Sequence, residues 1–323
     1  MSRAPLTHAP FARPGGAAGA GCGALACALA LTTGSVPALA QVAPFDDPYE
    51  LPRAPRPPSL PELTHSEIEG TLETTEGAII PTPGGVRTHA YVQRFNVEVP
   101  LALRRWYVGA SYELAAGGTA HSFEAVGGNL ALDGRTLWAT ATGLAFGGGL
   151  SLVLPTASFD PAGSGAIVAQ NAATLRPWDV TFFSQGVYGL RPYIDVRLLL
   201  GKFIAQFRQG IDLTVAPTQI GDRHFYAMAG LYFGWRATDQ VAAGVEAFEE
   251  YAIAVPGVSD GARAAFVVSP NVRLSLPWVQ PAISLFTNVG TPLYGANESF
   301  WGFRLAFTVV YDPSAVLRVR SQQ

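Results

Sequence analysis

The 323-residue sequence has little sulfur and almost no lysine. Its two cysteines, Cys22 and Cys27, both lie within the first 40 residues. Lys202 is the single lysine, so arginine carries almost all of the positive charge. Because the chain beyond residue 40 has no thiol, neither a disulfide framework nor a cysteine nucleophile accounts for its fold or its chemistry.

Long apolar runs are also missing beyond residue 40, although 49% of the residues are hydrophobic and only 14% are charged. A membrane-spanning helix needs about 20 consecutive apolar residues, and the chain after residue 40 offers no such stretch. Its apolar side chains are instead interleaved with polar ones. In an exported protein this combination favours a membrane β-barrel, because only helices and closed barrels satisfy their backbone within a bilayer.

The first 40 residues have the organisation of a secretory signal peptide. Arg3 and Arg13 give a basic start, residues 17–31 form a small apolar core, and Ala38-Leu39-Ala40 precedes Gln41 as a cleavage motif. We therefore expect cleavage between Ala40 and Gln41. The formal net charge is −3, and removal of the two arginines leaves −5, a balance that does not suggest a nucleic-acid partner.

Residues 42–63 contain seven prolines. Proline lacks a backbone N–H and is excluded from sheet interiors, so this stretch is extended. We expect residues 41–66 to form a periplasmic arm, with a plug inside the barrel as the alternative. The expected organisation is a signal peptide at 1–40, the arm at 41–66, a barrel at 67–312 and a periplasmic tail at 313–323.

From residue 67 onwards, segments of ten residues or more alternate between apolar and polar side chains. In residues 300–311, Trp301, Phe303 and Leu305 fall on one face, whereas Gly302 and Arg304 fall on the other. Successive side chains of a strand point to opposite faces. Repeated strands with one apolar and one polar face are typical of outer-membrane barrels.

The connections between these segments alternate between tight turns, such as Asp133-Gly134, and longer loops, such as residues 157–177. Outer-membrane barrels have short periplasmic turns and longer outer loops. In residues 135–156 and again in residues 178–200, most of the large apolar side chains keep the same phase of the alternation from one end to the other. Each range is therefore interpreted as a single long strand. With residues 68–80 as the first strand, the sequence predicts an all-β, antiparallel, up-and-down transmembrane barrel of twelve strands, with both termini periplasmic.

The six tryptophans support this orientation of the strands. Aromatic belts mark the two interfaces of a membrane protein. Four of the tryptophans lie at the tight-turn ends and two at the long-loop ends, and none lies in the middle of a strand. In that order they are Trp106, Trp138, Trp235 and Trp278, then Trp178 and Trp301.

Three short stretches resemble a known group of barrels. Gly127-Gly128-Asn129, the glycines 147–149 and the run Leu-Ser-Leu-Val-Leu-Pro-Thr at 150–156 cover about thirty residues. This arrangement resembles the outer-membrane barrels grouped as phenol-degradation meta-pathway proteins, in which Leu-Pro-Thr follows an apolar strand and opens an outer loop. The resemblance implies a barrel that serves the passage of small, often apolar molecules.

Signatures of enzyme chemistry are absent from the sequence. His65, His89, His121 and His224 have no metal-ligand spacing, and no nucleophile elbow, P-loop or dinucleotide fingerprint occurs. We therefore expect no metal, no cofactor and no enzymatic activity. The neighbouring His121 and Ser122 point to opposite faces of a strand and cannot pair directly. Asp222 and His224, in an outer loop, keep an outer-membrane hydrolase open as a third alternative.

Charged side chains recur at the strand positions that alternate with the large apolar residues and are expected to face inward. A charge that faces lipid is costly, so these side chains are expected to line the lumen. There they bind or steer solutes, or else fill the interior as a salt-bridged network. The candidate lumen-lining residues are Arg94, Glu98, Arg105, Asp195, Arg197, Lys202, Arg208, Asp212, Arg236, Arg273 and Arg304.

A twelve-stranded barrel is intermediate between eight strands, which packed side chains fill, and sixteen, which leave a water channel. The sequence therefore predicts a porin-like outer-membrane channel for small solutes with a narrow, charged lumen. The alternative is a structural or anchoring barrel with a closed, salt-bridged lumen. The expected partners are outer-membrane lipid, the barrel-assembly machinery and small solutes.

Overall fold

The computed structural model describes residues 67–81, 85, 87–101, 105–119, 122–216, 223–255, 258, 262–290 and 297–311. Twelve strands in these ranges form one closed barrel, in which each strand pairs antiparallel with its neighbours in sequence and β1 pairs with β12. The strands are β1 (Ile68–Pro81), β2 (Thr88–Leu101), β3 (Trp106–Thr119), β4 (Ser122–Ala139), β5 (Leu144–Leu154), β6 (Tyr188–Leu200), β7 (Phe203–Val215), β8 (Arg223–Arg236), β9 (Val241–Ala254), β10 (Ala264–Leu274), β11 (Val279–Asn288) and β12 (Asn297–Tyr311).

This topology confirms the all-β, antiparallel, up-and-down barrel of twelve strands. The barrel closes through a long register between its first and last strands, from Ile68 opposite Tyr311 to Ile79 opposite Phe300. The signal segment with Ala40 and Gln41, the Pro-rich arm and the C-terminal tail lie outside the described residues.

The two faces of the wall follow the alternation in the sequence. In β12, Trp301, Phe307 and Val309 point outward and stay about half exposed, whereas Arg304 and Thr308 point inward and are buried. The same arrangement recurs around the barrel, so its outer surface is mostly an apolar band, with Glu76 and Glu249 as charged residues on the outward face. The polar side chains of the strands meet in the interior.

Tryptophan side chains lie at both ends of this outer band. Trp106, Trp138, Trp235 and Trp278 are exposed at the tight-turn end and Trp301 is exposed at the other. The expectation that all six tryptophans mark the interfaces is wrong for Trp178. Its side chain is buried inside the barrel, where it packs edge-on against two phenylalanines.

One predicted tight turn is misplaced. Asp133-Gly134 lies within β4, which continues to Ala139, and the chain reverses over residues 140–143. Residues 135–156 are therefore not a single strand. An Asp-Gly pair is a strong local turn signal, but Gly134 lies opposite Leu150 in a continuous β4–β5 ladder. The long-range pairing decides the conformation here.

The interpretation of residues 178–200 as one strand is also wrong, because β6 begins only at Tyr188. Before it, an α-helix, α1 (Ser164–Leu175), is followed by a 3-10 helix (Pro177–Phe183). Together they form what we call the inner segment, residues 164–183, which folds into the barrel from the long-loop end. Neither helix is long and apolar enough to cross a membrane.

Candidate functional site

The inner segment is fastened to the wall where β4 is bulged. Opposite Glu113, β4 carries the extra residues Gly128 and Asn129, and the register shifts there. The Asn129 amide donates to the backbone oxygens of Thr181 and Ser184, both at 2.8 Å, and its oxygen accepts from the N–H of Ala157 at 2.8 Å. A bulge frees side chains and backbone groups from the ladder. One side chain thereby holds both ends of the loop that carries the inner segment.

Thr156 completes this attachment. The N–H of Leu130 donates to the Thr156 hydroxyl at 2.8 Å, and that hydroxyl donates to the backbone oxygen of Gly128 at 3.2 Å. These bonds satisfy backbone groups that the bulge leaves unpaired. The residues that carry the resemblance noted in the sequence, Gly128-Asn129 and the Pro-Thr after β5, therefore meet at the base of the loop.

Apolar packing holds the inner segment on two sides. Val168, Ala169 and Ala172 of α1 form a buried cluster with inward-facing Val92 and Val153. A second cluster joins Leu175 and Trp178 to the opposite part of the wall, through Ile79, Met228, Phe248, Val267, Phe286 and Phe300. The Trp178 ring lies edge-on to Phe248 and Phe286, with centroids 6.0 and 5.6 Å apart. Burial of this kind contributes about 25 cal/mol per Å² of apolar area.

Glycines let the inner segment approach the wall closely. A Cβ at Gly128 would lie 2.9 Å from the backbone oxygen of Phe182 and 3.1 Å from that of Glu113. At Gly77 it would overlap a methyl group of Leu175. Real Cβ atoms do not occupy such positions, so the contact requires glycine on the wall.

Arg176, between the two helices, is fully buried and binds acidic side chains from two strands. Its guanidinium donates to Glu73 of β1 and, at 2.8 Å, to the hydroxyl of Thr75. It also lies 3.3 Å from a carboxylate oxygen of Glu113 on β3 and 2.6 Å from Asp179. Burial opposes its charge, but Glu113, Glu73 and Asp179 raise the pKa of Arg176 above its ordinary value, so the guanidinium stays charged inside the barrel.

Asp179, one turn further on, lies among three guanidinium groups. One carboxylate oxygen accepts from Arg94 at 3.0 Å and from Arg176 at 2.6 Å, and the other lies 3.5 Å from Arg191. Burial alone would raise the pKa of Asp179, but Arg94, Arg176 and Arg191 hold that pKa well below its ordinary value. The carboxylate is therefore ionised.

Further ion pairs connect the strands around these two residues. Arg191 donates to the backbone oxygen of Trp178 at 2.6 Å and lies 3.2 Å from Asp212. Towards the tight-turn end, the guanidinium of Arg208 binds Asp195 and lies over a tyrosine ring. Other interior contacts are the ion pairs of Arg304 with Glu73, at 2.6 Å, and of Arg135 with Glu98, and the hydrogen bond that the Tyr193 hydroxyl donates to Asp133 at 2.9 Å.

A polar cavity of about 120 Å³ lies below the inner segment. Trp178, Asp179 and Phe182 of the inner segment line it, together with wall residues from Thr71 on β1 to Arg304 on β12. A single water needs about 10–15 Å³ of such space, so the cavity has room for several waters or a small solute. Among the described residues, no group of three or more His, Cys, Asp and Glu is arranged to hold a metal ion.

The predicted lumen residues fall into four groups. Arg94, Asp212 and Arg304 lie in the network around the inner segment, and Glu98, Asp195 and Arg208 lie in the ion pairs below it. Arg197 and Arg273 are buried nearer the tight-turn end, and Arg236 shares the inward parity of β8. Arg105 and Lys202 are exposed in the tight turns.

Several residues of the site were not anticipated from the sequence. Glu73, Arg135 and Arg191 lie on inward parities, and the alternation that identified the other residues is the signal that would have found them. Arg176 had no such signal, because it fell in a predicted loop, whereas Asp179 shared the inward parity of the strand predicted at residues 178–200. Of the residues considered for a hydrolase, His121 and Asp222 lie outside the described ranges.

Comparison with known proteins gives the class of the fold. No protein-family model matches the chain, and no curated protein matches it. Among solved structures, an outer membrane channel from Pseudomonas putida F1 superposes with a TM-score of 0.60 at 11% identity, over 83% of this chain and 100% of that one. The NanC porin gives a TM-score of 0.49 at 12% identity, over 74% of this chain and 98% of that one.

At these identities the likeness concerns the fold alone. The fold is the closed, twelve-stranded antiparallel barrel of bacterial outer-membrane proteins.

Proposed function

We propose that the chain is an outer-membrane channel for small solutes, in which the inner segment occupies the lumen at rest. The observation that carries this proposal is the charged cavity beneath the inner segment. The side chains of Arg94 and Arg208 keep 23% and 18% exposure although they point into the barrel. Water-sized space therefore lies beside these two side chains in the interior, as the lining of a solute path requires.

The outer surface supports a location in the bacterial outer membrane. Its apolar side chains form a band between two tryptophan-bearing ends, which fits a bilayer and its interfaces. We place the tight turns and both termini in the periplasm, because short turns are periplasmic in such barrels. Outer-membrane lipid and the barrel-assembly machinery are then the expected partners.

We further propose a relationship to the phenol-degradation meta-pathway barrels. Asn129 and Thr156 support this relationship. Both belong to the sequence stretches that resemble this group, and both bind the base of the loop that carries the inner segment. A motif that fixes an inward-folded loop has a physical reason to recur in channels of this group. The relationship would imply passage of small molecules, often apolar ones.

A structural barrel with a closed lumen is the second candidate function. The observation that favours it is the complete burial of charged interior side chains, because Arg176, Arg197 and Arg273 are at most 1% exposed. Such a network fills the lumen without any need for transport. Buried ion pairs contribute little net stability, so stability alone does not account for them.

Liposome swelling distinguishes these two functions. With the purified mature protein in liposomes, we expect urea, glycerol and L-alanine to cause swelling at rates that fall with solute size, and raffinose to cause none. Protein-free liposomes are the control. Swelling rates equal to that control for every solute would overturn the channel and leave the structural barrel.

A further inference from the structure

The inner segment presents two opposite charges side by side to the barrel wall. The guanidinium of Arg176 and the carboxylate of Asp179 are 2.6 Å apart, and their side chains are 0% and 5% exposed. They bind to different parts of the wall. This arrangement makes the pair a zwitterion that the chain itself supplies.

The wall offers a separate half-site for each charge. Glu73 of β1 and Glu113 of β3 receive the guanidinium of Arg176. Arg94 of β2 and Arg191 of β6 receive the carboxylate. The halves adjoin each other, because Nε of Arg94 lies 3.8 Å from a carboxylate oxygen of Glu113.

The wall groups in direct ionic contact carry equal numbers of formal positive and negative charges. Arg304 lies 2.6 Å from Glu73, and Asp212 lies 3.2 Å from Arg191. Three wall bases thus face three wall acids, and the inner segment adds one charge of each sign. Replacing that pair by another zwitterion preserves the balance, whereas a lone ion leaves a buried charge without compensation, which is strongly unfavourable.

The cavity gives a solute access to both half-sites. Glu73, Arg94 and Arg191 line it, as does Trp178 of the inner segment. The indole N–H of Trp178 is buried and has no hydrogen-bond partner among the described residues. Buried indole N–H groups usually bind an acceptor, and a solute carboxylate in the cavity is one.

From this geometry we propose that the site recognises small zwitterions of the α-amino acid type, and that they compete with the Arg176–Asp179 pair for the wall. The carboxylate binds Arg94 and Arg191, and the ammonium binds Glu73 and Glu113. The short distance between the half-sites selects adjacent charges. The inference rests on the proposed function, because it names the solute class of that channel.

The test compares three solutes of similar size: L-alanine, propionate, which lacks the amine, and ethylammonium, which lacks the carboxylate. Calorimetry on the folded mature protein measures binding, and planar-bilayer current in KCl measures conduction. The proteins are the wild type and a variant that combines Arg176→Met with Asp179→Asn. Gln170→Ala, on an exposed position of α1, is the control.

In the double variant we expect L-alanine to bind about tenfold more tightly than either single ion, and about tenfold more tightly than in the wild type, as in a typical competitive coupling. Adding Arg191→Gln should abolish the preference for L-alanine over ethylammonium. Gln170→Ala should bind as the wild type does. If the double variant fails to fold, Asp179→Asn replaces it, and the ranking of the three solutes on the wild type still decides.

Equal affinities for the three solutes in a protein that conducts KCl would overturn the inference and leave the proposed channel intact. Preferential binding of L-alanine without current in any variant would support the site and overturn the channel. Tighter binding of propionate than of L-alanine would overturn the zwitterion in favour of a simple anion site.

Discussion

At the scale of single residues, Asp179 has the most consequential contacts, because three guanidinium groups surround its carboxylate. Asp179→Asn removes the carboxylate that all three guanidinium groups share, although each keeps another acidic neighbour. Breaking a buried ion pair typically costs about 3–5 kcal/mol. We expect the inner segment to detach more often, so that the conductance rises. Hydrogen exchange of α1 and bilayer current measure the two effects.

The matched control for this change is Gln170→Ala, on the exposed side of the same helix. It should leave both exchange and current unchanged. Equal exchange protection of α1 in Asp179→Asn and the wild type would show that the ionic contacts do not hold the inner segment.

Gly128 tests the close contact between the wall and the inner segment. In Gly128→Ala the new methyl group would lie 2.9 Å from the backbone oxygen of Phe182. We expect a loss of about 1–3 kcal/mol, as is typical of overpacking, together with a displaced inner segment. Urea-unfolding midpoints and hydrogen exchange measure these changes.

Gly134→Ala is the control in the same strand, since a Cβ there meets no atom within 4 Å. It should be nearly neutral. If the two alanine variants are equally stable, the inner segment does not approach β4 as described.

At the scale of the elements, β8 tests which face of the wall meets lipid. Leu231 points outward between Ala229 and Phe233 and is 39% exposed. Leu231→Arg should destabilise the barrel in bilayers by about 2–4 kcal/mol, the usual cost near the midplane. Gln240→Arg, in an exposed turn, is the control, and equal unfolding free energies in the two variants would contradict the assignment of the faces.

The strands were predictable because their signal is local. Alternation of Trp301, Phe303 and Leu305 with Gly302 and Arg304 fixes a strand and its two faces without knowledge of its neighbours. The count of twelve followed from such segments. The exact positions of the turns could not be predicted in this way. Asp133-Gly134 is a typical turn sequence, yet its backbone pairs with β5 in a continuous ladder.

The inner segment was not predictable by the same reasoning. Trp178, Val180 and Phe182 alternate as in a strand, and the parity continues into β6. Inside the barrel, however, every residue from Pro177 to Phe183 is buried, so the alternation does not distinguish two faces. The ionic site is equally non-local, since barrel closure brings Glu73, Arg94 and Arg191 together from three strands.

At the scale of the whole molecule, the loop lengths predict the orientation in the membrane. A tag inserted in residues 256–261 should be labelled on intact cells, and a tag at Thr238-Asp239 should be labelled only after the outer membrane is permeabilised. The longer connection at residues 157–177 is unsuitable for the tag, because part of that range lies inside the barrel. The reverse labelling pattern would invert the barrel.

The most direct test of the account is the single-channel current of the barrel with and without the inner segment. Residues 158–184 are replaced by a short Gly-Ser linker, and heat-dependent gel mobility confirms that both proteins are folded. We predict small currents from the wild type and several-fold larger, steady currents from the variant, because an emptied twelve-stranded barrel has an open lumen. Equal currents from the two folded proteins, or none from either, would contradict a channel occupied by its own inner segment.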